Sequence, residues 1–173
     1  MSVSDRNNIG YQYTDCPLYW ISVIYLNFAE AKAEMGSLTQ DDLNNSINKL
    51  QARAGLPAMT TTPDADPANN MGVSNLIWEI RRCRRCELIM DNWYRYWDLI
   101  RWHQLDKLDS TKYPNTMLGA NVSNVPDCEE ATKNGYIDAS DAQIRTYEAK
   151  HYFYPIPTTQ LTLNKNMKQN PGW

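Results

Sequence analysis

Apolar positions follow helical periods through the first hundred residues and then lose any sustained period. Residues Leu18 to Leu26 are apolar almost all round, and the run passes into Ala29-Glu30-Ala31-Lys32-Ala33-Glu34 before Gly36. Taken alone, Ile21–Leu26 fits a buried strand; the alanine-rich continuation and the glycine stop select a helix. Pro17 suits its first turn, where a missing N–H is not needed. A helix apolar on all sides is expected to be packed on more than one of them. Thr39, with Asp42 three residues on, reads as a capping box that starts a second helix. Leu43, Ile47, Leu50 and Ala54 then share one face, Gly55 takes the C′ position and Pro57 prevents resumption. Residues 17–55 therefore predict an antiparallel helical hairpin, close to the roughly 34-residue tetratricopeptide period. One such unit is expected to pack against further helices.

Residues Thr60–Gly72 read as a loop, and helices are expected over about 74–105, opening at Ser74 with Ile77, Ile80, Arg84 and Leu88 on one face. Arg81, Arg82, Arg84 and Arg85 crowd the centre of this stretch. They form either a solvated basic face or pairs with Glu79, Glu87, Asp91 or Asp98. Trp93, Trp97 and Arg101 share a face further on. Residues 106–173 are loop-rich, punctuated by Pro114, Gly119, Pro126 and Gly135. Within them Tyr147–Tyr154 reads as a short strand, Thr158 or Thr159 starts a helical turn, and Trp173 is expected to anchor the terminus by burial. The fold class is mainly α, with an extended lead-in at 1–14 and one domain over 15–173.

Composition narrows the function. The 173 residues carry a formal net charge of -3, which gives no general attraction to nucleic-acid phosphates. Hydrophobic residues at 42% fill a real core. Aromatics are biased to Tyr (11) and Trp (6) over Phe (2), side chains that suit half-wet contact surfaces. No stretch has the roughly 18 consecutive apolar residues needed to cross a bilayer. Cys83 and Cys86 form a C-x-x-C, but Cys16 and Cys128 are isolated, so no second close pair completes a zinc site. The pair also falls inside a predicted helix, away from the N-terminal dipole that would favour a thiolate. There is no phosphate-binding loop, no dinucleotide fingerprint, no H-E-x-x-H and no G-x-S-x-G. His103 and His151 lie among aromatic and apolar neighbours and read as structural. No cofactor or metal set emerges.

Four sequence blocks resemble the C-terminal region of the SusD/RagB family, the glycan-binding lipoproteins of Bacteroidetes outer membranes. They are Tyr25-Leu26-Asn27-Phe28-Ala29-Glu30-Ala31; Ile47 to Pro57 with Arg53-Ala54-Gly55-Leu56; Ile80–Arg85 with Glu87-Leu88 and Arg95–Trp102; and Tyr154-Pro155-Ile156-Pro157 with Gln169-Asn170-Pro171-Gly172-Trp173. Three departures stand out: Cys83 replaces a usual Glu, Trp20 an Arg, and Asp91-Asn92 a Glu-Gly with one residue added. The lost Glu predicts that Arg84 or Arg85 finds another carboxylate.

The resemblance implies a non-catalytic, surface-exposed outer-membrane protein that binds oligosaccharide and delivers it to a TonB-dependent SusC-like transporter. It would touch the membrane only through an N-terminal lipid anchor. That anchor, the signal peptide and half of the helical scaffold are expected to lie outside this chain. It also implies that Glu30, Arg53, Arg85, Glu87, Asp98, Arg101 and Asn170 are scaffold residues. Sugar contact then falls to loop and helix-end groups: Trp93, Tyr94, Tyr113 and Tyr136 for ring faces, with Asn92 or Asn115 for hydroxyls. The alternatives are a helical protein–protein module without its own glycan site and, more remotely, an all-α glycosidase.

Overall fold

The computed structural model describes residues 19–89, 94–126, 131–138 and 143–173. The fold is mainly helical, and the chain divides into two compact units, Met1–Asp91 and Asn92–Trp173.

The first unit holds α1 (Ile21–Glu34), α2 (Gln40–Asn44), α3 (Ile47–Arg53) and α4 (Asn75–Glu87). Pro17 lies outside the described residues. α1 stops as its glycine predicts: Gly36 has φ 67°, its N–H donates to the Ala33 carbonyl at 3.0 Å, and Ser37 N–H donates to Lys32 at 2.9 Å. These are the two bonds of a Schellman cap. Gly55, at φ 69°, ends α3 the same way, with Leu56 N–H donating to Gln51 at 2.9 Å. The Thr39–Asp42 capping box forms reciprocally, at 3.1 and 2.9 Å.

The second helix is not continuous. It breaks at Asn45-Ser46, where the Ser46 hydroxyl donates to the Asp42 carbonyl at 2.6 Å and Asn45 Nδ2 donates to Asp41 at 3.0 Å. Side chains that take up backbone carbonyls in this way compete with the helical ladder. Leu43, Ile47 and Leu50 remain buried across the break, while Ala54 is exposed instead of completing their face. The chain after α3 is pinned by Asn48, which accepts from Met59 N–H at 2.7 Å and donates to its carbonyl at 3.1 Å.

α1 packs on α3 and α4 through Val23, Leu26 and Ala29. Its other side is not covered as the all-round pattern predicts: Ile21 and Ile24 are 62% and 57% exposed. The arginines of α4 split between the two readings. Arg81 reaches the buried Glu30 at 3.1 Å and Glu34 at 3.2 Å, both on α1. Arg84, also buried, donates to Asn27 Oδ1 at 2.7 Å. Arg82 pairs along its own helix with Glu79 at 2.8 Å, and Arg85 faces solvent. Arg81 thus finds carboxylates on α1, Arg84 meets the Asn27 amide, and Glu87 binds Arg53 at 2.6 Å.

The second unit begins with α5 (Tyr94–Arg101), which buries Asp98 and Leu99 and leaves Trp97 and Arg101 exposed. Short 3-10 turns follow at Leu105–Leu108 and Pro114–Met117. The stretch read as irregular contains a small antiparallel sheet of β1 (Leu118–Asn121), β2 (Ala131–Lys133) and β3 (Tyr136–Asp138), in the order β1-β3-β2. Asn134 and Gly135, at φ 53° and 80°, make the tight turn between β2 and β3. The Tyr147–Tyr154 strand does not form. Ala149–Tyr152 is a 3-10 turn, in which His151 Nδ1 accepts from Glu148 N–H at 3.0 Å. The expected helical turn is α6 (Thr158–Leu163). Trp173 is 46% exposed, so hydrogen bonds instead of burial secure it: its indole N–H donates to the Phe153 carbonyl at 2.9 Å and to Lys150 at 3.2 Å.

Asp109 ties the unit's loops together. It accepts from the Thr111 hydroxyl at 2.5 Å, from Thr111 N–H at 2.9 Å and from Tyr147 N–H at 3.2 Å. These bonds, led by the Thr111 hydroxyl, hold its pKa near about 2. Asp42 is likewise held at about 2, chiefly by Lys32, which bridges α1 to α2 at 2.8 Å.

Two outcomes follow. Replacing Glu30 with Ala removes the buried partner of Arg81, leaves it the outer pair with Glu34, and should cost about 2–4 kcal/mol in urea unfolding, while Arg82→Ala at an exposed pair should cost under about 1 kcal/mol. Depressed carboxylates contribute stability that is complete above their ordinary value of 3.8 and lost as pH falls through about 2. Stability should therefore drop across that window, and Asp109→Asn should flatten part of the drop in an acid titration followed by circular dichroism.

Candidate functional site

The second unit builds a cleft from segments far apart in sequence. Three of its lining residues, Tyr154, Pro155 and Trp173, are held by a bracket between the Pro-Ile-Pro segment and the C-terminal turn. Gln169 acts as a surrogate strand partner: its Oε1 accepts from Ile156 N–H at 2.8 Å and its Nε2 donates to the Ile156 carbonyl at 2.9 Å. Asn170 Nδ2 donates to the Tyr154 carbonyl at 2.6 Å. A proline-interrupted segment cannot complete a ladder of its own, so side-chain amides satisfy its backbone groups.

The cleft measures about 380 Å³, within the roughly 300–1,000 Å³ of small-ligand sites. Its walls are aromatic: Tyr96, Tyr147, His151, Phe153, Tyr154 and Trp173. The rings brace one another edge to face, Tyr147 on Tyr152 at 5.8 Å and His151 on Trp173 at 5.8 Å. Phe153 and Tyr154 stay exposed to solvent. The Tyr96 and Tyr154 hydroxyls lie 3.3 Å apart, a contact that raises the Tyr96 pKa. Burial, assisted by the Tyr152 hydroxyl, pushes Tyr147 up to about 12. Both phenols therefore stay neutral at physiological pH and can donate to a ligand oxygen. Arg145 also lines the cleft, and its guanidinium has no hydrogen-bond or ion-pair partner among the described residues.

Of the sequence-predicted contact residues, Tyr94, Tyr113, Asn115 and Tyr136 are not among the residues that line this cleft. Asn92 and Trp93 lie outside the described residues. Tyr94 opens α5 and is half-buried. Tyr113 accepts from Lys107 Nζ at 3.1 Å, with that ammonium 4.7 Å from its ring centre; Asn115 is exposed in the adjoining turn. Tyr136 begins β3, half-buried. The aromatic run Tyr147, Tyr152, Phe153, Tyr154 and the terminal Trp173 was the signal in the sequence that could have led to the cleft.

The C-x-x-C pair sits inside α4. Burial, reinforced by the Glu87 charge, pushes the Cys83 thiol up to about 11, which disfavours its thiolate. Among the described residues no group of three or more His, Cys, Asp or Glu side chains could hold a metal ion, and no helix is long and apolar enough to cross a membrane.

Of the residues that the resemblance marks as scaffold, Glu30, Arg53, Glu87, Asp98, Arg101 and Asn170 make ion pairs or hydrogen bonds within a mostly helical fold, while Arg85 faces solvent. The chain belongs to the SusD family, whose model matches residues 1–173. Its structure is similar to the crystal structure of a SusD-like protein from Bacteroides fragilis NCTC 9343, with a TM-score of 0.60 and 25% identity, covering 88% of this chain and 25% of that one. The chain thus spans about a quarter of that relative's length. No curated protein matches it.

Replacing Gln169 with Ala unpairs both backbone groups of Ile156. The expected cost is about 1–3 kcal/mol, read as a lower thermal midpoint with faster proteolytic cutting between residues 153 and 157.

Proposed function

We propose that this chain is part of a non-catalytic nutrient-binding protein of the outer cell surface, one that captures oligosaccharide and hands it to a partner TonB-dependent SusC-like transporter. Membership of the SusD family across the whole chain carries this reading. The aromatic cleft supports it physically. Pyranose rings present apolar C–H faces that stack on aromatic side chains, while neutral phenols serve their hydroxyls. A glycosidase would instead need two carboxylates facing each other across the sugar. No carboxylate is among the residues that line the cleft, and nearby Glu148 is paired with Lys150 at 3.3 Å.

The uncovered side of α1, with Tyr19, Ile21 and Ile24 exposed, supports a second reading in which this chain serves as a helix-packing module. The two readings part in one experiment. Calorimetric titration of the purified chain with a panel of oligosaccharides should give saturable binding without release of reducing sugar. Phe153→Ala should weaken that binding about threefold or more at an unchanged melting temperature. Absence of binding across the panel would favour the packing module.

A further inference from the structure

We infer that the cleft of the second unit selects sugars that carry a carboxylate, with Arg145 as the residue that reads the acid. The inference rests on the oligosaccharide reading above and narrows its substrate class. Arg145 is exposed on the lining of the cleft, and its guanidinium has no hydrogen-bond or ion-pair partner among the described residues. Its backbone is held in place: Arg145 N–H donates to the Ser110 hydroxyl at 2.9 Å, and its carbonyl accepts from Ser110 N–H at 2.9 Å. No described residue engages its guanidinium. A planar guanidinium beside aromatic walls matches a uronic acid, whose ring face stacks while its carboxylate takes paired N–H donors.

The charges around the cleft agree with this. Lys150, which packs against the Trp173 ring at 5.1 Å, is neutralised in part by Glu148, and Lys107 Nζ is bonded to the Tyr113 hydroxyl. Asp106, close enough to raise the Tyr147 pKa, and Asp109 are the acids on the adjoining segments. Asp109 is already saturated by Thr111 and Tyr147, so it does not compete for the guanidinium. Among the described residues that line the cleft, Arg145 is the arginine or lysine that can turn to a ligand.

The test titrates the chain with a trimer of galacturonic acid and, separately, with the neutral galactose trimer. The acidic trimer should bind about tenfold tighter at low salt, and Arg145→Gln should erase that preference, bringing the two affinities together. Arg145→Lys, which keeps the charge without the fork, should restore only part of it. Raising salt should weaken the acidic ligand alone. Equal affinity for the two trimers, or an acid preference that survives Arg145→Gln, overturns the inference and leaves the oligosaccharide reading standing. Failure of both trimers overturns the two together, and so does binding of a carboxylate-rich peptide in place of either sugar.

Discussion

The first unit depends on one buried ion pair. Glu30 on α1 and Arg81 on α4 meet at 3.1 Å with side chains almost removed from water. Such a pair adds little net stability over a well-packed apolar one, but a misplaced member is costly. It therefore acts as a register lock. Asn27 meets Arg84 and Glu30 meets Arg81, so later residues of α1 face earlier residues of α4 and the helices run antiparallel. Beside these polar rungs Leu26, Ala29 and Ile80 are fully buried. A slip of one turn would press a guanidinium onto Leu26. Arg53 and Glu87 extend the same logic to α3, nearer to solvent.

The second unit solves a different problem. Its strands are three or four residues long, and its last thirty residues carry three prolines inside or beside the segments that must be held. Side chains take over the work that a ladder would do. Gln169 pairs with Ile156, Asn170 with Tyr154, Trp173 with Phe153, and Asp109 with Thr111 and Tyr147. Those same bonds leave the aromatic rings pointing into one cleft. The residues of the C-terminal motif thus act as fasteners that hold the aromatic lining of the cleft in place.

Much of this was legible in the sequence where a local rule decides. Gly36 and Gly55 adopt the left-handed backbone that ends a helix, and Thr39 with Asp42 forms its box, because those choices depend on neighbours a few residues away. The break at Asn45-Ser46 was hidden because Leu43, Ile47 and Leu50 keep a helical period through it; two side-chain bonds to carbonyls decide the matter. The sheet was missed because strands so short show no alternation, although Asn134-Gly135 was a hairpin signal. The pairing of Glu30 with Arg81 spans 51 positions, and the cleft spans residues 96 to 173; neither distance is encoded in any periodicity. Outward-facing Ile21 and Ile24 follow a pattern that predicts cover, and no described residue supplies it.

The division of labour between fasteners and cleft can be read directly by NMR. Titrating labelled chain with an oligosaccharide that binds should shift the Trp173 indole and the ring signals of Tyr147, His151 and Phe153, and leave the guanidinium signals of Arg53, Arg81 and Arg84 in place. Shifts centred on those arginines, with the cleft rings unmoved, would contradict the assignment.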